Sequence, residues 1–238
     1  MTKTAITLDN FIESLKSYSA PQVFNPWRDV DIEAELGTEG PAIRCANLYR
    51  YLELRQHAHY LFIAEALGYQ GGHFTGLALT SERILLGKHP SVPPEKVLGI
   101  LYPYCRTSNP ASSRLNASQQ KSGFNEPTDT VVWNALLEHG LSPFDVILWN
   151  IFPFHPYKGE DTLTNRTPSS QELELGWTYA QQLLQLMPEL EIVAIGRNAA
   201  RTLAAYGVDC HEVRHPSMGG AQQFKEQVAE LFSIRLDK

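Results

Sequence analysis

The order of apolar and polar positions along the chain predicts alternating strands and helices. Apolar runs with the length and residue types of buried strands lie at 60–64, 144–151, 191–195 and 210–214. Segments with apolar residues at helical spacing separate them. Strands that alternate with helices form a parallel sheet covered on both faces. The pattern therefore predicts an α/β fold: a single domain with a central four-stranded parallel sheet flanked by helices.

The helical segments have several recognisable ends. Residues 42–57 are expected to form one helix, and Thr128 or Asp129 is expected to cap another, whose Val132, Leu136 and Leu137 face inward. The sequence Ser169-Ser170-Gln171-Glu172 has the character of a capping box and opens a long helix to about Met187.

The N-terminal segment differs in character from the rest of the chain. Its Leu8, Phe11, Ile12 and Leu15 recur at helical spacing, which indicates a short helix docked on the domain. An acidic, loop-like stretch from Ala20 to Gly40 follows. We therefore divide the chain into an N-terminal helix and acidic loop extension, residues 1–40, and a main domain, residues 41–238.

Composition excludes several classes of protein. Hydrophobic residues make up 43% and charged residues 19% of the 238 residues, which is an ordinary globular balance. No apolar run approaches the roughly 18 residues of a membrane span, and no signal-peptide pattern begins the chain. We expect a soluble, cytoplasmic protein that acts as a monomer, without a membrane partner.

The cysteine and histidine spacings give no sign of a metal or cofactor. Cys45, Cys105 and Cys210 lie far apart, without a CxxC pair, a four-thiolate set for an iron–sulfur cluster or an even-numbered disulfide framework. No HExxH or comparable spacing is present. We expect reduced thiols in a reducing compartment, with no metal, no iron–sulfur cluster and no cofactor.

The net charge of −6 is unevenly distributed. Residues 1–40 hold seven acids, whereas the stretch 103–124 holds Arg106, Arg114 and Lys121 and no acid. Residues 103–127, rich in Ser, Asn, Pro and Gln, are expected to form a long surface loop. An acidic protein can bind DNA through one local basic surface. This loop is therefore either such a surface or a mobile, solvated segment.

Polar side chains stand at the ends of three of the predicted strands. Glu65, Asn150 and His215 each come at a strand end, where parallel sheets carry their sites. A carboxylate there can hold a water or stabilise a cationic sugar, an asparagine can read a pyrimidine edge, and a histidine can donate to a departing base. Alternatively, Glu65 caps a helix or pairs with an arginine, and Asn150 satisfies loop backbone.

The segment after His215 offers a possible base wedge. Apolar side chains enter the base stack when a nucleotide leaves the duplex, and Met218 is suitably placed to do so. Ordinary core packing is the alternative for this methionine. The glycine-rich loop after residue 64 lacks the GxGxxG and GxxxxGK[ST] patterns, so it predicts no nucleotide-phosphate cradle.

Five motifs in order along the chain resemble those of the uracil-DNA glycosylase superfamily, in particular its small cluster-less bacterial members. Those members carry GEAPG, FTGxPFTSE, NxFPFHP, NRTP and VRHPSMGG. This chain carries AEALG at 64–68, FTGLALTSE at 74–82, NIFPFHP at 150–156, NRTP at 165–168 and VRHPSMGG at 213–220. The resemblance extends over roughly residues 45–235 and implies that the main domain is a catalytic domain of this fold.

The resemblance also implies a role for each matching residue. Glu65 would position water or support the oxocarbenium-like sugar, Asn150 would read the base, and His215 would hydrogen-bond the carbonyl oxygen of the leaving base. Ser217, Met218 and Gly219 would contact phosphate and fill the gap left by the flipped nucleotide. The DNA-facing surface would be completed by the following residues: Arg106, Arg114, Lys121, Arg166 and Arg214.

Departures from the family pattern fall in the base pocket. Leu67 replaces a proline, and Ala78 and Leu79 replace a proline and the aromatic that stacks on the base. Phe74 or Phe152 could supply that stacking instead. Gly68 stands where strict uracil enzymes place a tyrosine that excludes C5 substituents, so the C5 side is expected to be open.

These residues suggest a metal-independent monofunctional DNA glycosylase that acts on uracil or a C5-modified pyrimidine in single- or double-stranded DNA. A narrower alternative is excision of a hypermodified phage cytosine, such as glucosylated hydroxymethylcytosine, in antiviral defence. An alternative of another class is a non-catalytic module that binds damaged DNA or nucleotides. The presence of Glu65, Asn150 and His215 together favours the enzyme.

Overall fold

The computed structural model of the protein describes residues 6–100, 104–139 and 142–236. Residues 1–5 of the predicted extension, Pro103 at the start of the predicted loop, and the last two residues lie outside them. The described strands are β1 Val23–Phe24, β2 Tyr60–Ala66, β3 Val146–Phe152, β4 His155–Pro156, β5 Glu191–Ile195 and β6 His211–Val213. The described helices are α1 Leu8–Lys16, α2 Gly40–Glu53, α3 Gly72–Thr75, α4 Glu82–Leu85, α5 Glu95–Leu98, α6 Ala117–Ser122, α7 Pro127–Glu138, α8 Ser170–Leu186, α9 Arg197–Ala205 and α10 Ala221–Leu236.

The predicted four-stranded parallel sheet is confirmed. Its strand order is β3-β2-β5-β6, and every neighbouring pair is parallel. In β2 and β3, Ala64 lies opposite Asn150. β1 and β4 form a separate antiparallel pair. Because all four sheet strands point the same way, their carboxyl ends meet at one edge, and the loops after them build the site.

Three of the four strand ends differ from their predicted positions. β2 continues to Ala66, so Glu65 lies within this strand rather than after it, and β3 continues one residue further than predicted, to Phe152. β6 is shorter than predicted and ends at Val213, two residues before His215. The apolar pattern does not show these ends, because a polar residue at the end of a strand can still form backbone hydrogen bonds with the neighbouring strand.

The helix ends are partly as predicted. Ser169 and Glu172 form the predicted capping box of α8, and α1 begins after Thr7, whose side chain accepts from the Asn10 N–H. The prediction that Thr128 or Asp129 caps α7 is wrong, because the helix begins at Pro127. Proline is well suited to the first helical position, since it has no N–H to leave unsatisfied and its φ is already helical.

The end of α2 also departs from the prediction. The helix stops at Glu53 rather than at residue 57, and the buried Arg55 lies just beyond it. Its guanidinium donates to the carbonyls of Val146, Tyr51 and Val97 at 2.9 to 3.0 Å. Arg55 thereby ties the end of the helix to the start of β3.

The core extends over both faces of the sheet and includes the N-terminal helix. Phe11 and Trp27 pack against Trp149 of β3, with ring centroids 5.7 and 6.2 Å away. Phe62 of β2 contacts Phe232 of α10 on the other side. The predicted docking of α1 is therefore confirmed. Among the described residues, no helix combines the length and the apolar character needed to cross a bilayer.

The described part of 103–127 is mostly loop, as predicted, but it is anchored to the domain and contains one short helix. It contains α6, which begins with a capping box between Asn116 and Gln119. Its start is held by the buried Glu82 carboxylate, which accepts from the backbone N–H groups of Thr107 and Ser108 at 3.0 Å each. Buried carboxylates need such donors, and the segment supplies them.

Candidate active site

Glu65 and His215 line two adjoining clefts at the carboxyl edge of the sheet. The first, here the arginine cleft, has a volume of about 360 Å³. It is lined by Glu65, Ile195, Gly196, Arg197, Asn198, Arg214, His215 and Ser217. The second, here the Gly68 cleft, has a volume of about 290 Å³. It is lined by Ala64, Glu65, Ala66, Leu67, Gly68, Leu79, Glu126, Asn165, Arg166, Thr167, Pro168 and His215.

The contacts of His215 fix its tautomer. The Ser217 backbone N–H donates to His215 Nδ1 at 3.1 Å, and Ser217 Oγ lies 2.8 Å from the same nitrogen. Nδ1 is therefore an acceptor, and the proton of the neutral ring is on Nε2. Burial, and secondarily the positive Arg214, lower the pKa of His215 below its usual 6.5. His215 is thus a neutral hydrogen-bond donor at pH 7.

Gly196 lets the chain approach this histidine closely. It lies at the turn between β5 and α9 with φ of +87°, and its N–H donates to the Val213 carbonyl at 2.8 Å. A Cβ at this position would lie 2.9 Å from His215 Cβ. Any other residue would have to push the histidine away, so glycine fixes the position of the ring at the cleft wall.

The carboxylate of Glu65 is free to act on a ligand. Its side chain is half-buried, and among the described residues none forms a hydrogen bond or ion pair with it. It therefore neither caps a helix nor pairs with an arginine within the described chain. A carboxylate without partners beside a neutral histidine can hold a water molecule or face a developing positive charge.

Asn150 lies on the same sheet edge but lines neither cleft. It is 2% exposed, and its Oδ1 has no hydrogen-bond partner among the described residues. Its neighbour across the strand pair, Ala64, forms part of the Gly68 cleft. The side chain does not satisfy loop backbone, which was the alternative to base reading. A buried amide oxygen without a partner costs about 1–3 kcal/mol, so Asn150 is an acceptor that a ligand could satisfy.

Neither aromatic residue suggested from sequence as a replacement for the missing ring is accessible. Phe74 is fully buried and stacks on Phe124, with centroids 4.2 Å apart. Phe152 is also fully buried and packs edge-on against Phe154. Neither ring lines a cleft. Their sequence neighbourhood suggested the pocket, but apolar packing takes both rings into the core.

Leu79, the residue that replaces the family's stacking aromatic, lines the Gly68 cleft in a strained conformation. Its φ is +48°, a region that a branched side chain seldom adopts. The indole N–H of the buried Trp133 donates to the Leu79 carbonyl at 3.0 Å and holds this backbone in place. Strain that the surrounding structure enforces is common at ligand sites, and here it sets the leucine side chain as part of the cleft wall.

Polar groups lie beside Gly68 at the cleft. A Cβ on Gly68 would lie 3.4 Å from Glu126 Oε2 and 3.5 Å from Asn165 Nδ2, which are ordinary van der Waals distances. The predicted open C5 side stays a prediction, and the groups nearest to Gly68 are a carboxyl and an amide. Glu126 was not singled out from the sequence, and an acid next to a proline at a helix start gives no special signal.

The segment after His215 is exposed. Met218 is 94% exposed with φ of +53°, and Gly219 follows with φ of +77°. Core packing, the alternative for this methionine, does not occur. Ser217, Met218 and Gly219 thus form a protruding loop beside the arginine cleft, shaped by two successive left-handed residues.

The basic residues expected to face DNA lie in different surroundings. Arg214 lines the arginine cleft and makes no ion pair within the described chain. Arg166 lines the Gly68 cleft, but both of its terminal nitrogens bind the Glu172 carboxylate, at 2.6 and 2.7 Å. The fold therefore leaves Arg214 available and uses Arg166 to anchor the loop before α8.

The three loop cations line neither cleft. Arg106 donates to the carbonyls of Gln119 and Gln120, and Arg114 pairs with Glu33 and Asp161. Lys121 is exposed. Sequence reasoning missed Arg197 and Asn198, which begin α9 and do line the arginine cleft. The glycine break after β5 was the signal that could have found them.

The structure offers no metal site among the residues it describes. No group of three or more His, Cys, Asp or Glu side chains there is placed to hold an ion, and the three cysteines are all unpaired. The polar side chains at the clefts carry carboxyl, amide, guanidinium, hydroxyl and imidazole groups. The chemistry they can supply is hydrogen bonding, proton transfer and charge stabilisation.

A comparison with solved structures gives a match along the whole chain. The crystal structure of wild-type Pedobacter heparinus SMUG2 aligns with a TM-score of 0.60, over 97% of this chain and 98% of that chain, at 13% identity. The chain has a uracil-DNA glycosylase-like fold. The sequence itself matches no protein-family model and no curated protein. The fold implied by the five motifs is thereby confirmed.

Proposed function

We propose that this protein is a DNA glycosylase that hydrolyses the N-glycosidic bond of uracil or a C5-modified pyrimidine flipped out of DNA. One observation carries the proposal. A neutral His215, protonated on Nε2, lines the same two clefts as the Glu65 carboxylate, which has no partner among the described residues. A uracil-DNA glycosylase-like fold around this pair supports a glycosylase over other hydrolases.

The reaction needs two charges to be stabilised at once. As the C1′–N1 bond breaks, the sugar becomes oxocarbenium-like and the base leaves with negative charge on its carbonyl oxygen. The Glu65 carboxylate faces the sugar, orients a water towards C1′ and takes the proton that this water loses. His215 Nε2–H donates to the base carbonyl oxygen. Each group is worth about 10²-fold or more when it is preorganised.

Asn150 is proposed to read the base. Its buried and unpaired Oδ1 can accept from a ring N–H or an exocyclic amine of a pyrimidine, and its amide nitrogen can donate to a carbonyl. It lies next to Ala64 in the sheet, and Ala64 lines the Gly68 cleft, so we propose this cleft as the route of the base to Asn150. Base recognition and the reacting groups would then share one entrance.

The arginine cleft and the exposed loop after it are proposed to hold the DNA backbone. Arg197 and Arg214 have no ion-pair partners in the described chain, and the N-terminal amides of α9 favour anions. Met218 is free to enter the base stack. A local surface of this kind lets a protein of net charge −6 bind DNA, which we expect it to do as a monomer in the cytoplasm.

A panel of DNA duplexes tests the proposal directly. Duplexes with one uracil, hydroxymethylcytosine or glucosylated hydroxymethylcytosine are incubated with excess enzyme, and abasic sites are scored by alkaline strand cleavage. We expect base release from at least one duplex and a loss of about 10²-fold or more in Glu65→Ala. Release of glucosylated hydroxymethylcytosine alone would select the antiviral alternative.

The control variant for Glu65→Ala is Glu53→Ala, which removes an exposed acid far along α2. It should excise at the wild-type rate. DNA binding without base release from any duplex would contradict the proposal and favour the non-catalytic module.

A further inference from the structure

Two fully buried histidines from distant parts of the chain contact each other. His73 lies in α3 and His155 in β4, and their Nδ1 atoms are 3.0 Å apart. The other nitrogen of His73, Nε2, lies 3.5 Å from the Asp31 carboxylate of the N-terminal extension. We name Asp31, His73 and His155 the histidine cluster. Burying polar rings costs free energy unless their nitrogens are hydrogen-bonded, so the partner of each nitrogen matters.

The surroundings of His155 fix the position of its proton. The Thr164 carbonyl oxygen can only accept, and it lies 2.8 Å from His155 Nε2, so this nitrogen carries the proton. Burial, and secondarily His73, lower the pKa of His155 to about 3, so the ring is neutral at pH 7 and its Nδ1 is an acceptor. His73 Nδ1–H therefore donates to His155 Nδ1. His73 thus holds the tautomer of His155 in which Nε2 faces the Thr164 carbonyl.

The histidine cluster holds the loop before α8 at two points. His155 Nε2–H donates to the Thr164 carbonyl, and the Thr162 hydroxyl donates to Asp31 Oδ2 at 2.6 Å. The next residue of this loop, Asn165, lines the Gly68 cleft. Two contacts to buried side chains therefore fix the backbone that leads directly into the wall of the cleft.

Asn165 connects this loop to the strand that carries Glu65. Its Oδ1 accepts from the Tyr69 backbone N–H at 3.0 Å, in the turn that follows β2. The Tyr69 ring also lies near His155, with ring centroids 6.5 Å apart. A continuous series of contacts therefore leads from His155 through the loop to the turn after Glu65.

We propose that the histidine cluster is a positioning device for base excision: His155, oriented by His73, holds Asn165 and the turn after β2 in the geometry that Glu65 needs. This inference rests on the proposed function. None of the three cluster residues lines either cleft, so they act through other residues rather than on the substrate. A displacement of about 1 Å at the reacting groups can cost about 10²-fold in rate. DNA affinity, which the arginine cleft is proposed to supply, should not depend on the cluster.

Two substitutions of His155 separate its two hydrogen bonds. The amide of His155→Asn reaches the place of Nδ1 and keeps a partner for His73, but it is too short to reach the Thr164 carbonyl. The longer amide of His155→Gln reaches the place of Nε2 and can donate to that carbonyl. On the duplex that the wild-type enzyme excises best, the maximal single-turnover rate should fall about tenfold in His155→Asn and recover to within about threefold of wild type in His155→Gln. The enzyme concentration at half-maximal rate should change less than about threefold in both.

Two further variants control for damage to the fold. His57→Asn makes the same change at an exposed histidine before β2, at the opposite edge of the sheet, and should excise at the wild-type rate. Thr162→Val leaves both buried histidines unchanged and removes only the hydroxyl that binds Asp31, so the maximal rate should fall about two- to tenfold. It keeps the proposal testable if His155→Asn does not fold. Thermal unfolding of each variant shows whether it is folded at the assay temperature.

Nitrogen-15 NMR of the wild-type protein with labelled histidine tests the cluster without DNA and without activity. His155 Nε2 should have the chemical shift of a protonated imidazole nitrogen and His155 Nδ1 that of an unprotonated one. A scalar coupling between the two Nδ1 atoms should report the hydrogen bond from His73 to His155. The signals are assigned by their loss in His155→Gln. A proton on His155 Nδ1 would overturn the proposed orientation.

The outcomes separate the two proposals. Wild-type maximal rates in Thr162→Val and in a folded His155→Asn, or a loss in His155→Asn that His155→Gln does not reduce, overturn the positioning role and leave the glycosylase in place. If the wild-type protein has the expected tautomers but releases no base from any duplex of the panel, the proposed function fails, and the positioning role fails with it.

Discussion

Replacing His215 by alanine is the sharpest test of the proposed chemistry. The variant removes a neutral Nε2–H donor whose ring is fixed by two contacts from Ser217 to Nδ1. Removing one donor of this preorganised kind from an enzyme costs about 2.7–4 kcal/mol, or 10² to 10³-fold in rate. We therefore expect single-turnover base excision to fall by about that factor, while DNA affinity changes far less.

Ser217→Ala provides a graded comparison for the same mechanism. It removes the hydroxyl near Nδ1 but keeps the backbone N–H that selects the tautomer. A neutral hydrogen bond contributes about 0.5–1.5 kcal/mol, so the rate should fall only about two- to tenfold. A larger loss than in His215→Ala would mean that Ser217 acts on DNA itself rather than through the histidine.

The pH dependence tests the charge of His215. Its pKa is lowered below 6.5, so the donor remains neutral from pH 7 to pH 8, and the excision rate should not depend on its titration there. The rate should fall only under acidic conditions that protonate the ring. The measurement is the single-turnover rate between pH 5 and pH 8.5. Wild-type rates in His215→Ala, or a wild-type rate that rises as the ring becomes protonated, would refute the reasoning.

Three further predictions follow from the surroundings of the clefts. Gly68→Ala should be tolerated, because its Cβ would lie 3.4 Å from the Glu126 carboxyl, an ordinary contact distance. Gly68→Tyr should displace the Glu126 carboxyl and lower excision of C5-substituted bases, measured on the duplex panel. Neutralising Arg197 and Arg214 should flatten the salt dependence of DNA affinity by about one unit per lost phosphate contact, and an unchanged slope would place the DNA elsewhere. A carboxyl with a raised folded-state pKa stabilises the fold below its unfolded-state pKa, and this effect is lost as the pH rises through the folded-state pKa. Burial raises the pKa of the Asp129 carboxyl, so Asp129→Asn should raise the melting temperature more at pH 8 than at pH 5. An equal change at both pH values would contradict this.

The sheet could be predicted from sequence because its strands are short, apolar and bounded by turn residues. The same pattern placed Glu65, Asn150 and His215 on one edge, since parallel strands share their carboxyl ends. What it could not give is the orientation of each side chain. Asn150 lies within β3 and lines neither cleft, while Glu65 lines both.

Aromatic residues near the pocket show a second limit of sequence reasoning. Phe74 lies in the motif at 74–82, next to the glycine-rich turn, and is nevertheless stacked on Phe124 in the core. Its partner is 50 positions away in the chain, and no local pattern predicts that pairing. The loop cations show the same limit, because Arg114 finds its partner acids in two distant segments.

Buried charges elsewhere in the protein indicate why the unpaired groups at the clefts matter. Arg55 is fully buried and donates to several backbone carbonyls, and the Glu82 carboxylate accepts from two backbone N–H groups and from the Ser108 hydroxyl. Both of these buried ions therefore have hydrogen-bond partners within the fold. Asn150 Oδ1 and both Asp129 oxygens are buried without partners, each at a cost of about 1–3 kcal/mol.

These costs are easiest to understand if a ligand removes them. Asn150 is paired with Ala64, which lines the Gly68 cleft, and Asp129 lies beside Gly71 near Glu126, which also lines that cleft. A base that enters deeply enough to hydrogen-bond either group removes that group's cost, and the free energy released there offsets the unstacking of the base from DNA. Apolar replacements of Asn150 and Asp129 should then stabilise the free protein and lower its affinity for the flipped base. Polar groups of a binding site are expected to behave in this way, whereas polar groups of a core are not.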